Sequence, residues 1–197
     1  MLDKFRPIIS YYLKPIIKKL DINPNIITII SPFIAIIAAY FFANKNILIG
    51  ALFILLSGFL DVMDGAIARY HNKTSKFGGF LDSTMDRFAD AIIYIGIIFG
   101  GYADWFIGIL AIHSAITVSY VRARAESEGI KCNVGIAERA VRLLILVLGS
   151  FIAGLTNMVG SINSDIILTA TIYILVILSY FTVGQRIHHV YNELKKK

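Results

Sequence analysis

Six mainly apolar stretches, each long enough to cross a bilayer as a helix, dominate this 197-residue chain. They run near 25–43, 46–70, 77–100, 103–126, 136–155 and 163–189. A hydrocarbon core of about 30 Å needs about 20 such residues, and inside it every backbone polar group must find its partner within the protein. The expected fold class is therefore all-α: a polytopic membrane protein with six transmembrane helices. Composition agrees, at 57% hydrophobic and 16% charged residues with a mean hydropathy of +0.72. An ordinary soluble domain has roughly 45–50% and 25%. Disorder needs the opposite balance. A lone cysteine, Cys132, excludes a disulfide scaffold. The breaks between spans have local causes: Asn44-Lys45-Asn46 and Gly100-Gly101 are turn chemistry, and Pro24 allows a helix to start with Asn25 near its cap.

Residues 1–22 read differently. Phe5, Ile8, Ile9, Tyr12, Leu13, Ile16, Ile17 and Leu20 recur at helical spacing among Lys4, Arg6, Lys14, Lys18 and Lys19. That pattern predicts an amphipathic helix lying in the headgroup region, with Pro15 a kink point. The expected organisation is a juxtamembrane helix over 1–22 and a single transmembrane domain over 23–197.

The net charge of +6 is unevenly distributed. Of the 19 Lys and Arg, all but Lys45 fall before the first span, around the second and fourth turns, or after the sixth span. Lys and Arg mark cytoplasmic loops. A cell-membrane location with both termini and the even-numbered turns in the cytoplasm follows. The charge serves topology and phosphate binding, so no nucleic-acid partner is expected.

Four carboxylates stand where carboxylates are expensive. Asp61 and Asp64 lie in the second span, Asp82 and Asp86 in the third. A charge at a helix centre costs about 2.5–3.5 kcal/mol on insertion scales and usually has a function. Spacings of i,i+3 and i,i+4 put each pair on one helix face. Asp61 lies about 12 Å deeper than Arg69 at 1.5 Å per residue, level with Asp86, so Asp64 and Asp82 are expected to face each other at a shallower depth. Four close carboxylates cannot all stay ionised alone. Two divalent cations would neutralise them, and an all-oxygen set favours Mg²⁺ or Mn²⁺. The competing structural reading has salt-bridged networks through Arg69 and Arg87; Asp90 is read as structural. Small residues at Gly65, Ala66, Ala68, Gly78 and Gly79 leave room for a bulky ligand, and Arg69 at the cavity mouth suits a phosphate.

Asp61-Val-Met-Asp64-Gly65-Ala-Ile-Ala68-Arg69, followed by Gly78, Asp82 and Asp86, resembles the signature of the CDP-alcohol phosphotransferases at every defined position. The resemblance implies that a CDP-linked lipid binds with its pyrophosphate at two metals. An alcohol attacks the lipid-side phosphorus and CMP leaves. By the same resemblance Asp61 and Asp82 bridge both metals, Asp64 binds the first, and Asp86 binds the second and is the catalytic base. Gly65, Arg69 and Ser75 match nucleotide-contacting positions, as does the Asn25-Ile26-Ile27-Thr28 start of the first span. A homodimer is also implied.

The second basic cluster bears on the acceptor. It comprises Ser119-Tyr-Val-Arg122-Ala-Arg124-Ala-Glu126, then Glu138-Arg139-Ala-Val-Arg142, with Arg186 ending the sixth span on the same side. A neutral alcohol needs no such arginine set; an anionic phosphate does. Ser119, Arg122, Arg139, Arg142 and Arg186 are the expected acceptor-phosphate contacts. The arrangement is similar to the phosphatidylinositol-phosphate branch and its archaeal archaetidylinositol-phosphate counterparts, which implies inositol phosphate as acceptor. Ala140-Val141 departs from the Pro-Glu frequent in bacterial members. Glycerol-3-phosphate is the rival acceptor. A divalent-cation transporter is the alternative of another class; it accounts for the aspartates but not for Gly65, Arg69, Gly78 or the basic cluster. His113 is expected to bridge helices, and Trp105 to anchor at the interface.

Overall fold

A computed structural model describes residues 14, 15, 17, 18, 20–158 and 164–196. Among them six long helices follow one another: α1 (Pro24–Ala43), α2 (Ile47–Tyr70), α3 (Lys76–Phe99), α4 (Trp105–Ser127), α5 (Arg139–Met158) and α6 (Ser164–Leu194). Most of the expected amphipathic helix over 1–22 lies outside the described residues; Lys14, Pro15, Ile17 and Lys18 are helical.

The helix starts have identifiable caps. The Asn23 side chain accepts from the Asn25 N–H at 3.1 Å, with Pro24 in the first turn. The cap is thus Asn23, one residue before Pro24 and close to Asn25 as expected. Ser75 caps α3 by accepting from Gly78 N–H at 2.9 Å, and Asp104 caps α4 through Phe106 and Ile107.

Five of the six helices are long and apolar enough to cross a membrane by length and composition; α3 is not among them. The sixth expected span corresponds to α3, whose composition sets it apart from the other five. The helix has 24 residues, ample in length, but carries Lys76, Asp82, Asp86, Arg87 and Asp90. Helix α6 has 31 residues, about 46 Å at 1.5 Å per residue, and so outruns the hydrocarbon core.

Helices α2 and α3 both pack on α1, α5 packs on α2, and α6 packs on α4 and α5. Small residues permit the closest approach. A Cβ on Gly96 of α3 would stand 2.4 Å from the Ala39 Cα of α1, so any side chain there forces the helices apart. The interior holds Ala35, Ala38, Phe42, Ile54, Ile93 and Ile97, while Phe33, Tyr40, Phe99 and Ile177 point outward. An apolar exterior around a small-residue interior is the signature of helices packed in lipid. Polar pairs reinforce the contacts: the Ser31 and Ser57 hydroxyls meet at 2.9 Å across α1 and α2, and His113 meets the Tyr180 hydroxyl at 2.9 Å across α4 and α6.

Candidate active site

The carboxylates gather at the end of the bundle where the α2–α3 turn and the α4–α5 connection lie. Oxygens of Asp61, Asp82 and Asp86 fall within 4.8 Å of one another. Asp82 and Asp86, one helical turn apart on α3, present to Asp61 together. Asp64 turns instead toward α1, where the Thr28 hydroxyl donates to its Oδ2 at 2.6 Å. Asp82 joins Asp61 and Asp86 in one group and also lines a cavity together with Asp64. This all-oxygen donor set suits a hard divalent cation.

Two cavities meet there. The narrower, about 230 Å³, lies between α1, α2 and the start of α3; Asn25, Thr28, Asp64, Gly65, Arg69 and Ser75 line it. The wider, about 550 Å³, is lined by Asp61, Asp86, Ser119, Arg122, Arg139 and Arg186, among others. Gly79 and Asp82 line both. The side chains of Ile26 and Ile27 line neither: Ile26 is exposed, and Ile27 packs against the small cluster of Ile17, Met63, Ala66 and Ile67. Positions 25 and 28 share one helical face and 26 and 27 do not, which accounts for the split.

Charges in the wide cavity are heavily engaged. Arg139 Nη1 lies 2.7 Å from Asp86 Oδ1 and 3.1 Å from Asp61 Oδ2, and its Nε reaches Asp90 at 3.4 Å. Arg122 pairs with Glu126 one turn along α4 at 2.9 Å. Arg186 Nε donates to the Val134 carbonyl at 2.9 Å, tying the α4–α5 connection to α6. Gly135 in that connection takes φ +112° with Thr182 directly behind it, a place only glycine fits. Arg142 lies outside this cavity. It is 3% exposed, pairs with Asp90 at 3.1 Å and donates to the Ala137 carbonyl at 2.9 Å. One turn deeper than Arg139, it meets the next carboxylate of α3 and joins the fold. Asp90 is correspondingly an ion-pair partner between α3 and α5, in keeping with its structural reading.

The wide cavity also takes in Glu126 and Glu138 of the second basic cluster, and the narrow one Lys73 and Thr74, which were not singled out from the sequence. Lys73 carried no signal beyond its charge, because its direction depends on the α2–α3 turn.

The model of the CDP-alcohol phosphatidyltransferases matches residues 21–184. The chain belongs to the CDP-alcohol phosphatidyltransferase family. It is accordingly a transferase of phospholipid synthesis and a multi-pass membrane protein. Archaetidylinositol phosphate synthase of Methanothermobacter thermautotrophicus is 44% identical over 195 residues, covering 99% of this chain and 96% of that one. The Pyrococcus horikoshii enzyme of the same name is 40% identical and covers 99% of both chains. Phosphatidylinositol phosphate synthase of Streptomyces avermitilis is 35% identical over 87% of this chain and 73% of its own. The fold is shared with phosphatidylinositol phosphate synthase of Mycobacterium tuberculosis, solved with CDP-DAG bound. The TM-score is 0.76 at 24% identity, over 95% of this chain and 94% of that one. The same protein was solved in complex with manganese and citrate, also at TM-score 0.76 and 24% identity, over 93% of this chain and 87% of that one. In a member of this family, the carboxylate group suggests use of a divalent metal.

Proposed function

We propose that this protein transfers the lipid-phosphate group of a CDP-linked lipid to inositol phosphate and releases CMP. The observation that carries the reading is the meeting of two unlike cavities at one carboxylate group: a narrow one against the small-residue motif and a wide one edged with arginines. The names of the relatives agree, and the two archaeal ones favour an archaetidyl donor, CDP-archaeol, over CDP-diacylglycerol.

The donor takes the narrow cavity. Asn25, Thr28, Gly65, Arg69 and Ser75 contact its nucleotide end, and its tails run along the apolar exterior. Asp61, Asp64, Asp82 and Asp86 hold two Mg²⁺ or Mn²⁺ ions, which when bound stabilise charge on the attacking and leaving oxygens. The acceptor phosphate takes the wide cavity with Ser119, Arg122, Arg139 and Arg186. Asp86 accepts the proton of the acceptor hydroxyl. The hydroxyl oxygen bonds to the lipid-side phosphorus. The bond from that phosphorus to the bridging oxygen breaks, and CMP departs with the electron pair.

The same reading makes α3 the sixth span, with Asp82, Asp86, Arg87 and Asp90 turned inward, and keeps an interfacial helix before Leu20 only, since Leu20, Asp21 and Ile22 are not helical. It faces both cavities toward the cytoplasm, where the basic residues collect, and takes the functional unit as a homodimer. A CMP-release assay with purified protein, Mg²⁺ or Mn²⁺, CDP-archaeol and inositol phosphate tests it. CMP and a phosphorylated inositol lipid are expected in equal amounts. Failure to release CMP with any acceptor, together with Mg²⁺ or Mn²⁺ flux into vesicles, would replace the transferase reading by a transporter.

A further inference from the structure

Two cationic side chains, Arg69 and Lys73, line the narrow cavity, alongside the acidic Asp64 and Asp82. The family signature accounts for Arg69. Lys73 stands in the α2–α3 turn, between Asn72 in a left-handed conformation (φ +54°) and Thr74. Its backbone is fixed, since the Lys73 N–H donates to the Ala68 carbonyl at 2.8 Å. Its side chain is half-exposed, and its ammonium donates to Asp21 Oδ1 at 2.6 Å. Asp21 is the more solvated partner, 73% exposed, and does not line the cavity.

An exposed pair of this kind is weak, because water screens both charges. A lysine ammonium is a mobile point charge on a four-carbon stem with three donors. From a fixed Cα at the cavity wall it can exchange one exposed carboxylate for another anion without moving the backbone. A donor carrying a pyrophosphate brings such an anion beside carboxylates that repel it. We propose that Lys73 is a binding residue for the phosphorylated nucleotide end of the donor, its ammonium shared between that ligand and Asp21. The inference rests on the donor reading above and adds a contact outside the signature motif. The hydrogen bond from Lys73, with its charge, holds the Asp21 carboxyl below the usual carboxylate range, so Asp21 is an anion that competes with the ligand.

The alternative role is a clasp. Asp21 also faces His71 at 3.7 Å, and the His71 ring meets the Ile17 carbonyl at 3.1 Å, so the pair links the segment before α1 to the turn. The two roles predict opposite behaviour of two variants. CMP binding is measured by titration calorimetry on the full-length protein in detergent with Mn²⁺. Lys73→Ala is expected to weaken CMP about tenfold, the loss of one charge-assisted hydrogen bond. It should raise the KM for CDP-lipid alike while leaving the KM for inositol phosphate unchanged. Lys73→Arg keeps most of the affinity. Asp21→Asn, which removes the competitor, binds CMP at least as tightly as wild type. CMP affinity in Lys73→Ala within twofold of wild type overturns the proposal, as does Asp21→Asn weakening CMP as much as Lys73→Ala. Wild-type protein that neither binds nor releases CMP overturns the donor reading as well, so the two failures are told apart.

Discussion

The narrow and wide cavities share Asp82 and Gly79 but are built in opposite ways. The narrow one comes from two short runs of sequence: the first turn of α1, and the stretch from Asp64 to Asp82 that doubles back through the α2–α3 turn. The wide one collects side chains from α2, α3, α4, α5 and α6. One is made by local geometry, the other by the packing of five helices. The narrow cavity therefore tolerates changes elsewhere in the bundle, whereas the wide one depends on ion pairs and loop ties that hold distant helices in register.

That contrast can be broken most severely at the junction. Asp86→Asn keeps the size of the side chain but removes the base and a metal-binding oxygen. Transfer should fall on the order of 10³-fold or more, with the thermal unfolding midpoint of the purified protein little changed. Turnover near wild type would remove Asp86 from the chemistry. Next comes Arg142→Gln, which leaves the buried Asp90 with only the longer Arg139 contact. Removing one member of a buried pair costs about 3–5 kcal/mol. The variant should unfold at a markedly lower temperature while the KM for acceptor in the surviving fraction stays near wild type. Arg122→Gln should do the reverse: stability unchanged, acceptor KM raised about tenfold, CDP-lipid KM unchanged, as the loss of one hydrogen bond to a charged group predicts. The smallest effect belongs to the narrow cavity. Thr28→Val removes the donor to Asp64, a bond that acts on the donor lipid only through Asp64. CDP-lipid KM should rise several-fold and acceptor KM hold. A rise in both KM values for either Arg122→Gln or Thr28→Val would mean that the cavities do not act separately.

Much of this was legible in the chain, and the boundary of legibility follows the same contrast. Helix limits came out within a few residues, because apolar length and turn residues are local signals; α5 begins at Arg139 rather than near 136 since Gly135 and Ala137 are spent on contacts with Thr182. The aspartates and the α1 start were legible because their spacing fixes which side chains share a face. The same rule, applied to 25–28, separates Asn25 and Thr28 from Ile26 and Ile27. Arg139 and Arg142 share a face too, yet one turn of depth sends the first to the cavity and the second to Asp90. Depth relative to another helix is a property of packing that neither residue type nor spacing encodes. The partition of Asp61 and Asp64 between α3 and α1 belongs to the same class, and so does the direction of Lys73.

The central claim is that an arginine-edged cavity beside the carboxylates selects a phosphorylated inositol. The most direct measurement offers the purified protein CDP-archaeol with inositol phosphate and glycerol-3-phosphate together, at equal concentrations, and identifies the lipid product by mass spectrometry. Phosphorylated inositol lipid as the dominant product is the predicted result. A dominant glycerophosphate lipid would contradict it, leaving the fold and the family in place and the acceptor assignment overturned.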